Sequence, residues 1–130
     1  MKKYSIHLSN YTSADTKIPV FDLYEDDVCL FEQFYNQIQR EGNLTGYLNS
    51  AISIVEAAAN SLRLPQSKFK EINAKGLPCK MYEAKKDDIR IYLFHEEHTG
   101  RIIVSGGKKS TQQQDINKIV NCIKAYYNEK

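Results

Sequence analysis

The connectors between residues 80 and 109 constrain this chain more than any other feature. Three apolar-rich runs, 81–86, 89–95 and 101–109, are separated only by Asp87-Asp88 and by a turn containing His98-Thr99-Gly100. A parallel pair of strands needs a crossover of about a dozen residues or more, whereas a few turn-forming residues close a hairpin. The segment is therefore expected to be a three-stranded antiparallel meander. Along its middle strand, Ile89, Ile91 and Leu93 fall on one face and Arg90, Tyr92 and Phe94 on the other.

The remaining pattern places helices around this meander. Tyr4-Ser5-Ile6-His7-Leu8 alternates with period two and predicts a strand. Residues 10–17 are polar and predict a loop. Val20-Phe21-Asp22-Leu23-Tyr24 predicts a second short strand, with Pro19 setting its start at an edge. Val28, Phe31, Phe34, Tyr35 and Ile38 have helical spacing, and the preceding Glu25-Asp26-Asp27 is expected to cap that helix at its positive end. Gly42-Asn43 breaks the chain before a second stripe running from Leu44 to Leu62, which Pro65 closes. So short a break predicts an antiparallel helical hairpin. Residues 66–78 read as a basic, irregular connection, and Ile116, Ile119, Val120, Ile123, Tyr126 and Tyr127 mark a closing helix. Strands segregate from helices, so the expectation is one α+β domain over residues 1–130. It has an antiparallel sheet, an N-terminal helical hairpin and a C-terminal helix. The helices are expected on one face, leaving Arg90 and Tyr92 on an open one.

Charge and composition exclude several classes. No apolar run approaches the length of a bilayer span, and the lysine-rich start has no apolar signal-peptide core. The odd, widely spaced Cys29, Cys79 and Cys122 read as reduced thiols, which predicts a cytoplasmic protein with no membrane association. The net charge of +2 conceals an asymmetry. Residues 1–62 carry four basic and eight acidic side chains, and residues 63–130 carry fourteen and eight. A basic half of this kind points to a polyanion. Gly106-Gly107-Lys108-Lys109-Ser110-Thr111 lacks the spacing of a phosphate-binding P-loop, because Ile102 stands where its first glycine belongs. His95-Glu96-Glu97-His98 has its histidines three apart instead of four, across a strand end, and so reads as a hairpin tip with no metal.

Metal-free cleavage of a phosphodiester needs a base for the ribose 2′-hydroxyl, cations for the phosphoryl oxygens and an acid for the leaving 5′-oxygen. Arginine clamps phosphate in a bidentate way, lysine can act as a base when crowded by cations, and tyrosine can stack on a base or donate a proton. Lys85, Lys86, Arg90, Tyr92, Lys108 and Lys109 supply that set.

The order of motifs in residues 68–127 resembles the RelE/ParE superfamily of bacterial toxins, in particular its HigB-like, phage-derived branch. The resemblance runs through Lys68-Phe69-Lys70-Glu71-Ile72, Tyr82-Glu83-Ala84-Lys85, Ile89-Arg90-Ile91-Tyr92-Leu93-Phe94 and Ile102-Ile103-Val104 to Lys108-Lys109-Ser110-Thr111. Lys85 replaces the arginine of the first strand motif, and Ser105 and Gly107 stand where the branch often has His and Phe. The resemblance implies a RelE-like α+β fold and a ribosome-dependent endoribonuclease that cuts mRNA without a cofactor. It implies two further partners, the ribosome and a cognate antitoxin, for which a helix-turn-helix protein is a candidate. Glu83 matches the glutamate of the first motif, and Arg90 is the expected phosphate clamp. Lys85 and Lys109 are the expected base or charge stabiliser, and Lys80, Lys86, Tyr92 and Lys108 the expected RNA contacts. The alternative is a non-catalytic protein of the same fold that binds an antitoxin and either poisons a protein target such as gyrase or is inactive.

Overall fold

The computed structural model describes residues 2–130. Strands β1 (Tyr4–Leu8), β2 (Val20–Glu25) and a two-residue β3 (Val28–Cys29) precede helices α1 (Leu30–Glu41) and α2 (Thr45–Ala59). Strands β4 (Phe69–Ile72), β5 (Lys80–Lys86), β6 (Ile89–Glu96) and β7 (Gly100–Lys108) follow, then one 3-10 turn (Lys109–Thr111) and helix α3 (Gln112–Asn128). The strands form one open sheet in the order β1-β2-β7-β6-β5-β4, with β3 paired to β2 off that path. The predicted meander is present as β5-β6-β7, and the α+β class holds. The sheet is mixed, however, because β2 and β7 run parallel, with Val20 opposite Arg101 and Asp22 opposite Ile103. The whole of α1, α2 and the first two meander strands lies between them, ample length for a crossover.

The expectation of one open face is overturned. Helices α1 and α2 cover one side, where Phe31, Phe34, Ile38, Leu48 and Val55 pack against Ile89, Ile91, Leu93 and Ile103. Helix α3 covers the other, where Ile119, Ile123 and Tyr126 pack against Met81, Tyr92, Phe94, Ile102 and Val104. The physical reason is visible in β6. Every residue from Ile89 to Phe94 is buried, the pattern of a strand with both faces covered. Tyr92 and Phe94 carry too much apolar surface to face water.

Three local expectations also change. The acids ahead of α1 do not cap it. Asp26 and Asp27, at φ 51° and 66°, form the two-residue turn between β2 and β3, the backbone geometry that tight hairpins require. Helix α1 therefore starts at Leu30, and it ends where Gly42 takes φ 83° and donates its N–H to the Ile38 carbonyl. Helix α2 stops at Ala59, well before Pro65, with Ser61 in the left-handed region. Part of the irregular connection is strand β4, paired with β5 from Phe69 opposite Ala84 to Ile72 opposite Met81. Among the described residues no helix is long and apolar enough to cross a membrane.

Candidate functional site

The strand register gathers most of the expected cations at one end of the sheet. The turn at Asp87-Asp88 sets Lys85 opposite Arg90 and Lys86 opposite Ile89. On the next strand Gly107 lies opposite Arg90 and Lys108 opposite Ile89. The Lys109 N–H donates to the Asp88 carbonyl at 2.8 Å, tying the end of β7 to that turn. Lys85, Lys86, Lys108 and Lys109 thus form a basic tip. Acids are interleaved with it. Lys108 meets Glu41 at 2.6 Å, and Lys86 lies 3.9 Å from Asp87. The Lys108 ammonium beside Glu41 holds that carboxyl below its usual range. Lys85 and Lys109 make no ion pair among the described residues.

Arg90 belongs to this end by position but is not available there, which corrects its expected role as phosphate clamp. Its side chain is 8% exposed, and Nε lies 3.5 Å from Glu83 Oε1, which is 2% exposed. Nη1 donates to the Asp87 carbonyl at 2.6 Å and to the Ile89 carbonyl at 3.0 Å. Gln112, in the first turn of α3, donates Nε2 to both Glu83 oxygens at 3.0 and 2.7 Å. A guanidinium with these partners neutralises a buried carboxylate and locks a hairpin turn. Removing one member of such a pair leaves an uncompensated buried charge. Tyr92 is likewise sealed beneath α3, fully buried, with a hydroxyl that has no hydrogen-bond partner. Burial, then the nearby Glu83, pushes its phenol well above the ordinary range, so it can neither stack on a base nor release a proton at neutral pH.

The glycine pair of the basic motif also has a packing role. A Cβ on Gly106 would lie 2.5 Å from the Phe34 ring, and one on Gly107 would collide with the Asp115 carboxylate. Successive strand residues point to opposite faces. Gly106 therefore admits α1 and Gly107 admits the start of α3. Thr111 donates its hydroxyl to Asp115 at 2.7 Å and steadies that approach.

Lys80 does not join the tip. It starts β5, five residues from Lys85, roughly 17 Å away at strand rise. There it lies opposite His95, which lies opposite Arg101. His95 and Arg101 were not among the expected site residues. The signal that links the expected Lys80 to the unexpected His95 is the Asp87-Asp88 turn, which fixes their pairing. Comparison with protein-family models, with curated proteins and with solved structures returns no match.

Proposed function

We propose that this chain is a RelE/ParE-like interaction protein of toxin type that contacts RNA phosphates through the lysine tip and does not use Arg90 to do so. The single observation that carries this reading is the register clustering of Lys85, Lys86, Lys108 and Lys109 around one hairpin, with Lys85 and Lys109 unpaired. Lysines arranged in this way attract a phosphate backbone without reading sequence. The motif order over residues 68–127 supports the family assignment, and the cytoplasmic toxin–antitoxin setting follows from it. Burial of Arg90 and Tyr92 favours binding over cleavage, because two of the groups wanted for the chemistry are engaged in the fold. The antitoxin is proposed to dock beside β7 beyond Ile103, where β2 no longer pairs with it. A groove of about 390 Å³ opens there between α1 and α3, lined by Leu30, Phe34, Val104 and Ile119.

The test is in vitro translation with the message followed by electrophoresis, alongside binding of single-stranded RNA at several salt concentrations. Lys85→Ala/Lys109→Ala is expected to weaken binding uniformly across sequences and to lower the salt slope by about 1.4, or 0.7 per lost phosphate contact. Unchanged affinity would remove the tip from the site. Message cut at defined positions would restore the ribonuclease reading, metal-free and centred on Lys85 and Lys109.

A further inference from the structure

At the end of the meander away from the lysine tip, three basic side chains form one cross-strand row. Lys80 on β5 is opposite His95 on β6, and His95 is opposite Arg101 on β7. Directly opposed residues point to the same face, with Cβ atoms about 5 Å apart. A bulge creates the second pairing. The register shifts between Tyr92 and Leu93, so that Tyr92 faces Ser105 but Leu93 faces Ile103, and Val104 is left over. Without that extra residue Arg101 would project from the other side of the sheet.

Among the described residues none of the three makes an ion pair or a side-chain hydrogen bond, whereas Arg90, on the same strand as His95, makes both kinds of contact. Arg101 Nε and Nη1 are buried without partners, as is His95 Nδ1. The guanidinium lies 5.4 Å over the Phe69 ring and 5.1 Å over the Tyr82 ring, which stack on each other at 5.0 Å. These rings hold the cation by its face but offer its N–H groups nothing. Native structures leave few buried donors unsatisfied, and those left over call for a reason. The row opens into a cleft of about 950 Å³ walled by Ile18, Leu77, Pro78 and Tyr127. Two carboxylates also line it. Glu96 is already bound by Lys130 at 2.6 Å and by the Tyr126 hydroxyl at 3.3 Å, and Glu97 is exposed on the turn.

We propose that Lys80, His95 and Arg101 form a binding site for a phosphoryl dianion, carried by a small phosphate ester or by free phosphate. Three donors from adjacent strands, aimed into one cleft and lacking acids of their own, match a compact group with several acceptor oxygens and two charges. A planar base is not the group recognised, because Arg101 already covers the aromatic surface. The site is independent of the RNA reading and lies at the opposite end of the sheet.

The experiment is calorimetry of the full chain with inorganic phosphate, pyrophosphate and adenosine monophosphate at constant ionic strength, with acetate as the carboxylate control. Saturable binding of a phosphate compound is expected, weakened at least about tenfold in Arg101→Met and in Lys80→Ala and unchanged in Lys124→Ala, an exposed lysine on α3 outside both basic clusters. Tighter binding of the monophosphate than of phosphate identifies an ester as ligand, and equal binding identifies free phosphate. Should Arg101→Met not fold, Lys80→Ala and His95→Gln, on exposed and half-buried positions, carry the same test. Burial, then Arg101 and Lys80, lowers the His95 pKa against the opposing pull of Glu97. The imidazole resonance followed by NMR should therefore titrate at higher pH once phosphate is bound. No saturable binding, an equal response to acetate, or binding undiminished in these variants overturns the proposal.

Discussion

The two ends of the meander carry similar charge and treat it in opposite ways. Beside the Asp87-Asp88 turn, Arg90 is buried against Glu83 and two carbonyl oxygens, and its lysine neighbours Lys86 and Lys108 have acids within reach. At the far end, Lys80, His95 and Arg101 lie in one row with no anion opposite them. The number of cations does not separate the ends. What separates the two arginines is whether the fold around each supplies it with oxygen partners: Arg90 has Glu83 and two carbonyls, and Arg101 has only aromatic rings. An arginine held by a buried carboxylate and two carbonyl oxygens of its own fold, even with Nε lacking a hydrogen bond, is a structural element. An arginine whose donors point at nothing is a candidate for a ligand.

The largest expected effect that could break this contrast is on stability at the first end. Arg90→Met keeps the apolar stem and leaves Glu83 charged and buried, so urea unfolding should show a loss of about 3–5 kcal/mol. An exposed phosphate clamp would show almost none. Gly106→Ala is expected to cost less, about 1–3 kcal/mol, since its Cβ meets both the Phe34 ring and the Arg90 carbonyl. A neutral result there would mean that the glycine serves a ligand instead of the packing of α1. The smallest effect belongs to Tyr92→Phe. The hydroxyl is buried without a partner, so its removal should be neutral or slightly stabilising in the same assay. A marked loss would show that the hydroxyl has an interaction partner after all.

Much of this arrangement was legible in particular residues. The turn at Asp87-Asp88 fixes the pairing of β5 and β6, and the stripe from Ile116 to Tyr127 announces α3. The run from Ile89 to Phe94, apolar or aromatic at every position but Arg90, carried the news that both faces are covered. The polar ends of Arg90 and Tyr92 instead suggest an alternation with an open side. The ion pair of Arg90 with Glu83 was within reach for the same reason: the turn places Glu83 opposite Tyr92, on the face that Arg90 shares. Two features were not legible. The parallel pairing of β2 with β7 depends on how a long crossover folds back. The bulge at Val104 leaves no local signature in a run of β-branched residues, yet it decides on which side Arg101 emerges. Two members of the cationic row, Lys80 and His95, were therefore readable, and Arg101 was not.

The most direct measurement compares the two arginines by the same substitution. Arg90→Met and Arg101→Met should be unfolded in urea side by side with the wild-type chain. The expected result is a loss of about 3–5 kcal/mol for Arg90→Met and a change within about 1 kcal/mol for Arg101→Met, where lost ring contacts offset the release of unsatisfied donors. Equal losses, or the larger loss at Arg101, would contradict the assignment of Arg90 to the fold and of Arg101 to a ligand.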